Sequence, residues 1–238
     1  MLVEVISVSN SRSIVWIPGL YAIIILVVNI IAVALLPVLP IEDETMRIIR
    51  LGSITNLMFY GSLFVLYIVL YLPAWARTFR DANTRRNKLL LYTAIGTGGM
   101  FLATFLLGAL YLVLGINTDP VNQQILESQL NGPFFDRASL AIFAVLLAPL
   151  VEEMVFRLAG FRLLGKIEGL PIAVTIAITS LLFGLIHVLS DDIVQILYYA
   201  GLGVVLGLVY HKSKNILVPI GVHMLFNLFV VITMFAGL

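Results

Sequence analysis

The sequence predicts an all-α, polytopic transmembrane bundle of about seven spans, and three observations carry that prediction. Of the 238 residues, 61% are hydrophobic and only 11% charged, whereas soluble domains average about 25% charged residues. The apolar residues come in runs near the roughly 20 needed to cross a hydrocarbon core. No soluble domain, internal repeat or low-complexity tract separates them. A chain in lipid must satisfy its backbone internally, so each run reads as a helix.

Taken in order, the runs lie at about 14–39, 54–76, 89–115, 138–164, 170–189, 193–210 and 215–237. The first is read as a retained span, because Met1 to Ser13 lacks a basic leader and the apolar run is too long for a signal peptide. The polar stretch from Pro120 to Asp136 carries Val121, Ile125 and Leu126 at the spacing of a short interfacial helix. An eighth span or a re-entrant segment is the alternative. The chain is expected to be one integral-membrane domain over 1–238, with its chemistry in a helical core over 138–235.

Lys and Arg set the expected orientation. If the spans alternate, Arg12, Arg77, Arg80, Arg85, Arg86, Lys88, Arg157, Arg162, Lys166, Lys212 and Lys214 share one side. Only Arg47, Arg50 and Arg137 of the 14 basic residues fall on the other, with Glu42, Asp43, Glu44, Asp119, Glu127, Asp191 and Asp192. A multi-pass protein with a cytoplasmic N-terminus satisfies the split. On a strict up-and-down count His187 lies towards the outer end of its span and His223 towards the inner end of its own, with Glu152 central. The net charge of +1 comes with no basic stripe, so a nucleic-acid partner is not expected. There are no cysteines, which removes disulfides, thiolate metal sites and a thiol nucleophile.

The polar residues inside the apolar runs point to chemistry. Ionisable groups cost about 2.5–3.5 kcal/mol each at the membrane centre, so they mark pathways and sites. Glu153 and Arg157 are spaced i,i+4, the order that favours an ion pair. Glu152 points about 100° away from Glu153 and is left to face another helix. Pro149, one turn earlier, is expected to kink the helix and leave carbonyls unpaired. His187 ends a face carrying Phe183, Ser180 and Gly184. His223 and Asn227 are again i,i+4, which sets an imidazole and a carboxamide side by side as an oxyanion donor pair. His211 falls in the basic loop and reads as solvated. Every Asp reads as a loop residue. Gly203-x-x-x-Gly207, Ser180-x-x-x-Gly184 and the cluster Gly96, Gly98, Gly99 permit close helix approach.

Several chemistries find no match: there is no H-E-x-x-H helix, no G-x-S-x-G elbow and no serine beside a histidine at useful spacing. What remains is a Glu152, His187, His223 and Asn227 set able to activate water and hold an oxyanion, with Glu153 and Arg157 supporting it. A lipid-embedded proton or ion transporter would also use buried Glu and His, though it commonly shows inverted repeats. A non-catalytic immunity or scaffold protein is the third reading.

The order E-E-x-x-x-R from Glu152, F-x-x-x-H from Phe183, a Gly-rich run ending at Tyr210, then H-x-x-x-N from His223 resembles the CPBP family of intramembrane proteases, the CAAX prenyl endopeptidases and Abi proteins. The resemblance covers about 138–235; Leu158 departs from it, where many relatives carry Gly. It implies an endopeptidase cutting near the C-terminus of prenylated CAAX-type or related membrane-associated peptides. It implies that Glu152 and His187 activate water, that His223 and Asn227 hold the oxyanion, and that Glu153 and Arg157 support the geometry. No cofactor is required by that reading. Zinc held by Glu152, His187 and His223 is the alternative it leaves open.

Overall fold

A computed structural model describes residues 16–116, 121–188 and 193–237; the side chains of 72–74 and 121–123 lie outside the description. Among the described residues the fold is helical throughout, without strands. The helices are α1 (Ile17–Leu35), α2 (Glu44–Leu70), α3 (Leu72–Thr84), α4 (Arg86–Leu114) and α5 (Val121–Leu130), then α6 (Phe134–Leu164), α7 (Ile172–His187), α8 (Ile196–Ser213) and α9 (Leu217–Ala236). Six of them, α8 taken with the turn of 3₁₀ helix before it, are long and apolar enough to cross a bilayer. The chain is a multi-pass membrane protein. Its outward surface fits that setting, for Val33, Phe105, Leu112 and Val113 are each at least 70% exposed.

The seven expected runs are all helical, with three corrections. The second span begins at Glu44 rather than near 54, because Asp43 caps it by accepting from the Met46 N–H at 2.7 Å. Its first turns hold Arg47, Arg50 and Ser53, which a search for apolar runs passes over. It also ends early, at Tyr71, where a new amphipathic helix starts: α3 buries Trp75 and Thr78 and exposes Arg77 and Arg80. The fifth span is short. Sixteen residues at 1.5 Å rise reach about 24 Å, less than the roughly 30 Å hydrocarbon thickness. The expected short helix before α6 is present as α5. Arg12, Asp119, Pro120, Asp191 and Asp192 lie outside the described residues.

Two aspartates assigned to loops are helical. Asp136 sits in the first turn of α6, 1% exposed, and takes a bidentate pair from Arg50 of α2, Nε to Oδ1 at 2.9 Å and Nη2 to Oδ2 at 2.9 Å. Asp81 lies on α3, paired with Arg85 and bonded by Asn215 Nδ2 at 2.9 Å. These pairs pin opposite ends of the bundle. His211, expected in a loop, belongs to the last turn of α8, where its Nδ1 meets Lys214 Nζ at 3.0 Å.

The second half packs most tightly. The Cβ of an alanine at Gly184 would lie 2.7 Å from the Ile196 carbonyl, and one at Gly203 3.0 Å from Ser180 Cα. Helices α7 and α8 therefore touch backbone to backbone, as the small residues at 180, 184 and 203 predict. Gly96 likewise meets Val209 and Val222, but Gly98 faces open space and takes no part in the close approach expected of its cluster. Gly160, rather than position 158, brings α6 against α7 at Thr179.

Candidate active site

The carboxylates stand on α6, whose helix changes pitch around them. Ala148–Glu153 is α-helical, between π-helical turns at Phe143–Leu147 and Met154–Ala159. Pro149 has no N–H to donate, so the turn before it cannot keep the ordinary i→i+4 ladder. The helix widens there, an irregularity that often accompanies functional sites.

Glu153 and Arg157 form the expected pair on one face of α6. Both are 0% exposed, with Nη1 3.1 Å from Oε1. Arg157 does more than pair: Nη2 donates to the Gly203 carbonyl of α8 at 3.0 Å, and its guanidinium lies 4.7 Å over the Phe183 ring of α7. One buried cation thus ties three helices. A buried charge is tolerable only with such compensation.

Glu153 Oε1 also meets His223 Nδ1 of α9 at 3.0 Å. A carboxylate oxygen only accepts, so His223 Nδ1 carries the proton of that bond. His223 Nε2 can then donate a hydrogen bond only when the ring is an imidazolium, with Glu153 as its counter-ion. Asn227, one turn along α9, donates from Nδ2 to the Ala144 carbonyl at 2.8 Å. Ala144 belongs to the first π-helical turn, so the irregularity in α6 supplies the acceptor that orients this amide. A carboxamide NH₂ has two donors, and the second remains for another acceptor.

Glu152 faces the other way, as the helical period predicts. It is 3% exposed. Tyr60 of α2 donates its hydroxyl to Oε1 at 2.9 Å. Oε2 has no hydrogen-bonding protein partner among the described residues and stands 4.0 Å from His187 Nε2. His187 Nδ1 bonds the Phe183 carbonyl one turn back at 2.8 Å, which assigns the proton to Nδ1 and leaves Nε2 an acceptor. Phe183 sits between the two histidines, 4.5 Å from the ring of His187 and 5.7 Å from that of His223; Tyr199 stacks on His187 at 4.7 Å. The depth mismatch between the histidines resolves through the shortness of α7, whose end stops at the level of Glu152.

The structure therefore sorts the polar residues into two clusters on α6, Glu152 with His187 and Glu153 with His223. Of the three groups considered for zinc, His223 turns its Nδ1 to Glu153. Among the described residues no three His, Asp or Glu side chains gather as ligands. Tyr60 and the Arg50–Asp136 pair escape a motif search, because α2 carries nothing distinctive around Tyr60 and Arg50 reads as a flanking charge.

Comparison with known proteins finds similarity over the stretch that holds this site. The family profile for type II CAAX prenyl endopeptidase Rce1-like proteins matches residues 134–229, the stretch holding all four site residues. The matched stretch is less than half of the chain. A Bacillus subtilis (strain 168) protein, YdiL, named as a candidate membrane peptidase, is 28% identical over 154 residues, 63% of this chain and 59% of its own length. The membrane-embedded CAAX protease MroQ of Staphylococcus aureus (strain USA300) is 42% identical over 94 residues, 38% of this chain and 37% of its own. The chain thus spans less than two thirds of either relative. No solved structure matches.

Proposed function

We propose that this protein is an intramembrane endopeptidase that hydrolyses a peptide bond near the C-terminus of prenylated CAAX-type or related membrane-associated peptides. One observation carries the reading: two acceptors, the buried Glu152 Oε2 and the partly buried His187 Nε2, face each other across 4.0 Å. Two acceptors cannot bond each other, but a water can donate to both. Hydrogen bonds of about 2.8 Å from one water place its two acceptors roughly 4–4.5 Å apart. A water so held has both protons drawn towards bases and its lone pairs turned outward, the state a nucleophilic water needs.

In this mechanism the water oxygen attacks the scissile carbonyl carbon while its proton passes to the Glu152–His187 pair. The carbonyl π electrons move to oxygen, and His223 Nε2–H with the second Asn227 N–H receives that oxyanion. Collapse breaks the C–N bond, and the proton held by Glu152–His187 passes to the leaving nitrogen, giving a carboxylic acid and an amine, between which the remaining proton transfers to leave a carboxylate and an ammonium. Glu153 accepts from His223 Nδ1 and orients the ring, and Arg157 holds Glu153 in place. The matched family and the CAAX name of one relative support the substrate class. The basic-residue split supports a cytoplasmic N-terminus: single cysteines replacing Asn83 and Lys214 should be labelled from the cytoplasmic side and one replacing Asp119 from the other, and labelling all from one side contradicts it.

The test is incubation of purified protein in detergent with a farnesylated CAAX peptide and its unprenylated counterpart, with and without a strong chelator. Release of the residues after the prenylated cysteine, unaffected by chelator, is expected. No cleavage of either peptide, or cleavage abolished by chelator and restored by zinc, contradicts the reading.

A further inference from the structure

Outside the matched segment, Tyr60 touches the site directly. Tyr60 lies on α2, and its hydroxyl donates to Glu152 Oε1 at 2.9 Å across 92 positions of sequence. Its ring is fixed from two sides, edge-on to Phe59 at 4.8 Å and tilted against Phe143 at 4.9 Å. Phe143 opens the first π-helical turn of α6, so the feature that orients Asn227 also seats Tyr60. A carboxylate has two equivalent oxygens and turns easily about its last bond. Pinning Oε1 removes that freedom and leaves Oε2 as the oxygen that faces His187.

We propose that Tyr60 is the positioning residue of the water-activating carboxylate: it holds Glu152 by one oxygen so that the other is presented with His187. The proposal rests on the hydrolytic role assigned to Glu152. A plainer role is wall-building, because Tyr60 also lines a cleft of about 390 Å³ between α1 and α2, with Tyr21, Asn29, Asn56 and Ile186. The two roles separate kinetically. A wall residue acts on substrate binding and moves KM, whereas a residue that orients the base acts on the chemical step and moves kcat.

Tyr60→Phe removes the donor and keeps the ring. With the farnesylated peptide, kcat is expected to fall roughly 10- to 100-fold with KM and melting temperature unchanged. A kcat within twofold of wild type, or a loss confined to KM, overturns the proposal. Infrared difference spectra provide a readout that does not need turnover. The Glu152 carboxyl band, assigned by its disappearance in Glu152→Gln, should shift in Tyr60→Phe. If wild type cleaves nothing, the hydrolytic reading fails on its own and the band decides whether Tyr60 orients Glu152; an unmoved band overturns that.

Discussion

The two halves of the chain meet the membrane differently. In α6 67% of the apolar stretch is buried inside the protein, against 11% in α1 and in α4. Helix α6 is wrapped by α1, α2, α7, α8 and α9 and carries the buried Asp136, Glu152, Glu153 and Arg157; α1 and α4 present Val, Leu and Phe outward and carry no buried charge. The difference shows where a bilayer protein can keep ionisable groups: on turns such as 148–157 of α6, where every residue is buried and each charge finds partners that lipid cannot supply. Helix α2 crosses this division. It lies in the half without a family match, yet its Arg50 and Tyr60 reach the carboxylates of α6.

That contrast breaks if a core charge proves dispensable. Replacing Arg157 with Met strands Glu153 in the interior and should cost about 3–5 kcal/mol in reversible unfolding from detergent. Arg86→Ala, at the exposed start of α4, should stay within about 0.5 kcal/mol. Equal effects at the two positions would remove the distinction. The next largest effect falls on activity. Asn227→Ala removes an oxyanion donor and should lower turnover roughly 100- to 1000-fold while leaving the melting temperature nearly unchanged; a loss of stability that accounts for the whole drop would assign Asn227 to packing against Ala144.

Glycines sharpen the comparison at smaller amplitude. Gly184→Ala drives a methyl against the Ile196 carbonyl and the Ala200 N–H, and should cost about 1–3 kcal/mol. Gly98→Ala on α4 meets nothing and should be neutral or stabilising by up to about 1 kcal/mol. The smallest effect belongs to the surface clamp of α3. The Arg85 hydrogen bond holds the Asp81 carboxyl below its ordinary value. The stabilisation is therefore present above about pH 4, the unfolded value, and is lost as pH falls through the lower folded one. For a half-exposed pair it should be below about 1 kcal/mol, read as the pH-dependent difference between wild type and Asp81→Asn.

Much of this was legible in the sequence because bilayer physics leaves a coarse signature. Runs of about 20 apolar residues located six long helices and the shorter α7, and i,i+4 spacing anticipated the Glu153–Arg157 pair on one face and Glu152 on another. What escaped was relational. Asp136 reads as a loop residue until Arg50 is found 86 positions away. Tyr60 reads as one more aromatic in an apolar run, and the pairing of each histidine with its own carboxylate depends on α7 stopping short. Pro149 announced an irregularity but not its form, since a proline can kink a helix or widen it and the neighbouring helices decide which.

The central claim is that Glu152 and His187 together activate water in a site built by the tightly packed half. Its most direct test is the cleavage rate of a farnesylated CAAX peptide by purified wild type, Glu152→Gln and His187→Ala, each shown to be folded by its melting temperature. The account expects cleavage by wild type and a fall of at least about 1000-fold in both variants at unchanged melting temperature, because each removes one of the two acceptors that hold the water. Either variant turning over near the wild-type rate would contradict it.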